Sequence, residues 1–395
     1  MSRGVLVHEW VARRGGSELV LDAMASALPG LDLHCLWTDA PGRYPGRDVH
    51  ETWLARTPLR RSKAAALPLL PATWRRRPGA YDWALVSSHL FAHHVRFTDQ
   101  PADFRKYVYV HSPARYLWEP SLDRRGDRPW VRAMAVPFRA LDRHRAGEPA
   151  ELAANSAFVA DRIRTHWDRE ARVIHPPVDV DRVTATLAET GATGAGPDGH
   201  PADRPGAVAA ATAGPAQPLT PDEWALLDRL GDGFLLGASR FVAYKRLDLV
   251  IATGEELGLP VVIAGSGPER ARLVELAERA SVPVHLVDGP SDGLMYALFA
   301  RAVALVFPGI EDFGILPVEV LAAGTPVVVG PVGGAREIVE PALPGAVAPT
   351  DRPVDLAAAV RAVAGADPAT CVARARDFAL PVFHRELLSW LAPVL

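Results

Sequence analysis

The chain has 395 residues, 49% of them apolar, with a formal net charge of -3 and only two cysteines. That length predicts two domains, and the apolar fraction is ample for two cores. The charge argues against a nucleic-acid partner, which ordinarily meets a basic face, and Cys35 and Cys371 are too far apart in sequence to suggest a disulfide framework or a structural zinc site.

The first residues, to Val7, are too poor in apolar residues for a signal peptide and read as a strand. No apolar run approaches the roughly 20 residues of a membrane span, so a soluble, cytoplasmic protein of a reducing compartment is expected. Apolar runs alternate with amphipathic stretches throughout, the pattern of an α/β architecture with parallel sheets. In the first half, strands are predicted at Gly4–Trp10, Leu31–Trp37, Trp83–Ser88, Lys106–His111, Glu151–Ser156 and Arg172–His175. The connection after the first strand carries Gly15 and Gly16 ahead of a predicted helix over Leu19–Ala27. Paired glycines there let a backbone approach a phosphate, although the full GxGxxG fingerprint is missing and a plain tight turn has the same look. From 53 to 77, Arg56, Arg60, Arg61, Lys63, Arg75, Arg76 and Arg77 interleave with Leu54, Leu67, Leu69, Leu70 and Trp74. This is either a solvated face or a surface for an anionic membrane or acceptor. His89 and His93 have the spacing of one helical face, with His94 beside them, but no carboxylate stands nearby in sequence and no metal site is expected. His111 closes its strand at the carboxyl end, the edge that faces the crevice in doubly wound domains.

Between Thr184 and Pro221, Ala, Gly, Pro and Thr dominate and aromatics vanish, which predicts a linker or a disordered insertion. Strands resume at Phe234–Ala238, Pro260–Ala264, Val284–Val287, Ala304–Phe307 and Val327–Val329. Arg240 and Lys245, five positions apart after the first of these, form a cationic pair suited to a diphosphate, or else a solvated basic loop. Gly265-Ser266-Gly267-Pro268-Glu269 opens a predicted helix over Arg270–Arg279. The densest signal is Glu311-Asp312-Phe313-Gly314-Ile315-Leu316-Pro317-Val318-Glu319, a strand-loop-helix passage with two acids eight positions apart. It places Glu311 in the loop at the carboxyl end of a buried strand and Glu319 inside the next helix, on the ligand edge of an open sheet. The tail from Asp377 carries Phe378, Phe383, Leu387 and Trp390 at helical spacing. The expected division is therefore 1–181, a linker over 182–222, a second Rossmann-like domain over 223–376, and a terminal helix over 377–395.

Taken together, Gly15-Gly16, His111, Arg240 with Lys245, the Gly265–Glu269 loop and the E-x7-E segment running on into Leu321-Ala322-Ala323-Gly324-Thr325-Pro326 resemble the retaining glycosyltransferases of family four. The resemblance covers nearly the whole chain except the Ala/Gly/Pro stretch. Within that family, His8-Glu9-Trp10, Tyr109 to Trp118 and Ala154-Asn155-Ser156 look most like the mannosyltransferase branch that builds bacterial surface polysaccharides. The resemblance implies the GT-B fold, two doubly wound domains about a cleft with the last helix crossing back to the first. It implies a nucleoside diphosphate sugar as donor, a GDP-sugar favoured over UDP- or dTDP-sugars, and a glycan, lipid-linked or small-molecule acceptor. Arg240 and Lys245 would clamp the diphosphate in place of a metal, with no cofactor. The N–H groups of Phe313, Gly314 and Ile315 would hold the sugar and phosphate, Glu319 the ribose, and Gly267, Val287 and Asp288 the base. Gly15 and Gly16 would lie near the donor, Glu311 would orient the transferred sugar, and His111 would contact donor sugar or acceptor. A nucleotide-sugar 2-epimerase and a non-catalytic nucleotide- or carbohydrate-binding protein are the competing expectations.

Overall fold

Strands buried on both faces read as unbroken apolar runs, and the chain builds two parallel sheets from such runs. The computed structural model describes residues 2–13, 15–119, 129–191 and 218–395. They divide into two units, Met1–Pro177 with Leu380–Leu395, and Val178–Ala379.

Unit 1 holds a seven-stranded sheet of β1 (Gly4–His8), β2 (Asp32–Cys35), β3 (Val49–Glu51), β4 (Trp83–Ser88), β5 (Arg105–Val110), β6 (Glu151–Ala154) and β7 (Arg172–Val173), in the order β3-β2-β1-β4-β5-β6-β7. Alternate residues of a strand face opposite ways, so Val5, Val7, Val86, Val108 and Val110 join one core with Trp37, Trp74 and Phe91. Leu6, Leu33, Leu85, Tyr107 and Tyr109 join the other. That second core is closed by the terminal helix Leu380–Leu391, which buries Phe383, Leu387 and Trp390. Each such side chain contributes roughly 1.5–3 kcal/mol. The Trp390 indole donates to Glu151 at 2.9 Å, which satisfies its polar edge. β3 is exposed at all three residues, so no apolar run announces it.

Unit 2 holds a five-stranded sheet of β8 (Phe234–Arg240), β9 (Val261–Ser266), β10 (Val284–Asp288), β11 (Ala302–Phe307) and β12 (Val327–Val329), in the order β10-β9-β8-β11-β12. The expected linker over 182–222 needs correction at both ends. Val180–Thr190 is a helix with Val180, Val183, Thr186 and Leu187 buried, capped by the Asp179 carboxylate and ended by Gly191 at φ 62. Pro221–Leu230 is another, opened by a Thr220–Glu223 capping box. The Ala/Thr-rich composition hid an apolar face at helical spacing. The units accordingly meet in sequence at Pro177/Val178 and Ala379/Leu380, not after 181 and 376. The middle of the expected linker, 192–217, lies outside the described residues. Among the described residues no single helix is long and apolar enough to cross a membrane.

Candidate functional site

In unit 2, β8 and β11 are sheet neighbours although β9 and β10 separate them in sequence. Strand order reverses there, and such a switch point opens a crevice at the carboxyl ends of the two strands. β8 ends in Arg240, whose exposed guanidinium donates to the Tyr244 hydroxyl at 3.2 Å. A single 3-10 turn, Ala243–Lys245, then brings the Lys245 ammonium back to the loop after β11. There Lys245 Nζ forms an ion pair with Glu311 Oε1. Both side chains are largely buried, at 12% and 20% exposure, so the pair is less screened than a surface one.

Glycines let these loops close on each other. Gly265 and Gly267 sit at φ 144 and 153, and a Cβ there would stand 1.9 Å from the Ser239 carbonyl and 2.6 Å from that of Phe241. The Gly265–Glu269 loop is therefore packed on the loop that follows Arg240, sealed by Phe241 N–H to Ser266 O at 2.7 Å and Glu269 N–H to Phe241 O at 3.0 Å. Three further glycines, which the sequence reading passed over, pin the Glu311 loop. A Cβ on Gly309 would stand 3.0 Å from Lys245 Cα, and one on Gly334 2.1 Å from the Asp312 carbonyl. Gly333 reaches φ 125 beside Glu311. The only sequence signal was the Gly333-Gly334 pair after a strand.

Gly314, at φ 127, starts the helix Ile315–Ala322, whose first N–H groups lack intrahelical acceptors and carry the positive end of its dipole. Phe313 is buried and Ile315 half-buried at that start. Glu319 lies in the same helix, half-buried. Burial pushes its carboxyl up to about 7, with Asp292 and Asp179 adding to the rise and Arg182 opposing it. Arg182 pairs with Asp292 at 2.8 Å, and its buried Nε has no hydrogen-bond partner among the described residues. Asp179, Arg182 and Asp292 were not anticipated, because two of them come from the stretch around the expected linker. Val287 is buried at the end of β10, and Asp288 beside it is bound by the Arg270 guanidinium at 2.8 Å. Arg240, Lys245, Gly267, Val287, Glu311 and the 313–315 backbone thus share the carboxyl edge of one sheet.

Unit 1 treats the other expected residues differently. A Cβ on Gly15 would stand 2.1 Å from Glu18 Oε2. The Glu18 carboxylate accepts from Ala12 N–H at 3.1 Å and Ser17 Oγ at 2.9 Å. The Glu18 carboxylate thus fills the space beside Gly15. His111 is held through its ring, Nε2 to Ser87 Oγ at 2.8 Å, while its carbonyl accepts from Asn155 at 3.0 Å. Burial, reinforced by His89 and His8, keeps its pKa well below the usual range, so the ring is neutral at pH 7. The expectation that no carboxylate accompanies His89, His93 and His94 is overturned. Asp142 lies 3.1 Å from both His93 Nε2 and His94 Nε2, and Glu9 Oε2 lies 3.5 Å from His89 Nδ1. Sequence spacing could not show acids delivered by other elements. Nor do His89 and His93 share a helix, since only Ala92–His94 forms a 3-10 turn. In the basic segment, Arg60 pairs with Asp39, Arg75 with Glu148, and Arg77 is buried against the His50 and Glu51 carbonyls. Arg56, Arg61, Lys63 and Arg76 remain at the surface with Trp53.

Residues 222–369 match the family of glycosyl transferases group 1. The D-inositol 3-phosphate glycosyltransferase of Geodermatophilus obscurus is 31% identical over 254 residues, 60% of this chain and 50% of that protein. The chain thus spans about half the length of that curated relative. Among solved structures, Anabaena Alr3699/HepE in complex with UDP and glucose is 14% identical over 99% of this chain and 100% of its own, with a TM-score of 0.63. Sucrose-phosphate synthase from Thermosynechococcus elongatus is 15% identical over 99% and 98%, with a TM-score of 0.66. The chain has the GT-B fold, and its residues 222–369 are similar to the group 1 glycosyl transferases.

Proposed function

We propose that the protein is a retaining glycosyltransferase that moves a hexosyl group from a nucleoside diphosphate sugar to a hydroxyl of a glycan, lipid-linked or small-molecule acceptor. The observation that carries this reading is the Lys245–Glu311 ion pair at the switch point of unit 2, with Arg240 at the end of β8 and Glu319 one turn inside the helix that follows Glu311. Arg240 offers a planar fork and Lys245 a point charge, which together suit a diphosphate. As the bond from the sugar carbon to the phosphate oxygen breaks, their positive charge meets the negative charge that builds on the leaving group. The new bond forms on the same face, and the departing phosphate takes the proton of the acceptor hydroxyl. Glu311, held by Lys245, orients the sugar and stabilises the cationic ring electrostatically. It is not a nucleophile in this scheme. The N–H groups at 313–315 hold sugar and phosphate oxygens, and Glu319 accepts from the ribose hydroxyls. The base lies by Gly267, Val287 and Asp288. His111, a neutral imidazole, is assigned a hydrogen bond to a sugar hydroxyl.

A GDP-sugar with a mannosyl-like group is the favoured donor, on the strength of the His8-Glu9-Trp10 and Tyr109–Trp118 motifs. UDP is the nucleotide bound by Anabaena HepE and heads the alternatives, with dTDP. The exposed Trp53, Arg56, Arg61, Lys63 and Arg76 would rest on the anionic inner face of a membrane. The test is a thermal-shift panel of GDP, UDP, dTDP and ADP with their sugars, followed by transfer assays with the best donor in excess EDTA. One nucleotide should stabilise the protein above the rest, and transfer should survive the chelator. A panel in which none stabilises it would refute the donor site.

A further inference from the structure

Unit 1 has a switch point of its own, between the neighbouring strands β1 and β4. Their carboxyl ends bring His8, Glu9 and His89 together. One nitrogen of each imidazole and one Glu9 oxygen all lie within 4.8 Å of one another. His8 and Glu9 are fully buried, whereas the His89 side chain keeps 23% of its surface open. His8 Nδ1 is held by Ser87 Oγ at 3.0 Å. Its Nε2 is buried without a hydrogen-bond partner among the described residues, and so is His89 Nδ1. Buried polar atoms nearly always have partners, yet His8 Nε2 has none among the described residues and His89 Nδ1 has only the Glu9 carboxylate, at a long 3.5 Å.

We propose that His8, Glu9 and His89 form a binding site for one zinc-class divalent ion. Two imidazoles and a carboxylate are a donor set that suits Zn²⁺, and three protein ligands leave a fourth position open. The partly open His89 side chain would give the ion its access. The supporting contacts are in place. Ser87 orients the His8 ring through its other nitrogen, as outer partners of metal-bound histidines do. Glu9 Oε1 is fixed by the N–H groups of Leu90 and Ala92 at 2.9 and 2.7 Å, and Oε2 takes one N–H from His89 at 3.2 Å. This leaves Oε2 with capacity for a ligand bond.

In the second such cluster, His93, His94 and Asp142, the carboxylate is already taken by protein donors. Asp142 accepts from the indoles of Trp118 and Trp167 at 2.7 and 2.8 Å and from His94 at 3.1 Å. The proposed ion is independent of the diphosphate, which Arg240 and Lys245 serve.

Chelator-stripped protein is titrated with Zn²⁺ against a chromophoric chelator, and with Co²⁺ for its ligand-field absorption. The expected result is one saturable equivalent with a low-symmetry Co²⁺ spectrum. His89→Ala should weaken binding at least about 100-fold and Ser87→Ala about 10-fold. The exposed His285→Ala should leave it unchanged. Circular dichroism confirms folding, and His89→Gln replaces His89→Ala if the latter unfolds. Absence of one-equivalent binding, or binding of undiminished affinity in the His89 variant, overturns the site. GDP and UDP affinity measured in EDTA reads the unit 2 site separately.

Discussion

The two sheets reverse strand order once each, and the chain places opposite chemistry at the two points. In unit 2 the crevice holds a guanidinium, an ammonium and a carboxylate, partly open and ion-paired. In unit 1 it holds neutral imidazoles and a carboxylate tied down by backbone N–H groups. The fold supplies the crevice in both cases, and the side chains decide what it can hold. A dianion suits the first. The second suits hydroxyls, or an ion that wants imidazole nitrogen.

The sharpest way to test the division within unit 1 is to open the cluster that the structure closes. Asp142→Ala removes a fully buried carboxylate and strands two indole N–H groups and an imidazole. Loss of roughly 3–5 kcal/mol is expected, the range for breaking the partnership of a buried charge. Urea unfolding followed by tryptophan fluorescence measures it. A loss under about 1 kcal/mol would mean the Asp142 carboxylate is not taken by protein donors.

In unit 2 the matching experiment is on binding. Lys245→Ala and Glu319→Ala each remove charge-assisted hydrogen bonds worth roughly 1.5–3 kcal/mol, so nucleotide affinity should fall about 10- to 150-fold. Calorimetry with the preferred nucleotide decides. Unchanged affinity in both variants would move the donor away from this switch point.

Glu319 gives the comparison a pH axis. Its carboxyl rises from 4.5 to about 7 in the folded protein. Between those values the folded state keeps a proton that the unfolded chain releases, so stability falls as pH climbs through that window and levels off above it. Glu319→Gln should flatten that slope. Ribose hydroxyls favour the carboxylate, so nucleotide binding near pH 7 should release protons in the parent protein and not in the variant. Calorimetry in buffers of different ionisation enthalpy reads that difference.

Much of this was written where apolar pattern and loop chemistry coincide. Val327–Val329 is a bare run of valines, and the Glu311–Glu319 passage names its own strand, loop and helix. What the pattern could not carry fell into two kinds. β3 lies exposed on the sheet edge, and the helix Val180–Thr190 hides four buried positions among alanines and threonines. The rest depends on contacts distant in sequence. Lys245 meets Glu311 66 positions away, and His94 meets Asp142 48 positions away, distances only the topology closes. Glu9 reaches the backbone of His89 by the same route, across β1 and β4.

The smallest expected effect concerns the cations of the 53–77 segment, which the structure sorts into two sets. Arg60, Arg75 and Arg77 are spent on Asp39, Glu148 and buried carbonyls, whereas Arg56, Arg61 and Arg76 face outward beside Trp53, itself 54% exposed. A charge near an anionic bilayer contributes about 1 kcal/mol, screened within a Debye length. Arg61→Glu, a change of two charge units, should weaken binding to phosphatidylserine-containing vesicles by roughly 10- to 30-fold at low salt and far less at physiological salt. Arg77→Glu should instead destabilise unit 1, since its guanidinium is buried between His34 and β3. Vesicle flotation at two salt concentrations separates the outcomes. Equal flotation of parent and Arg61→Glu would leave the outward set as plain solvated charge, and would confine the chemistry of unit 1 to its switch point.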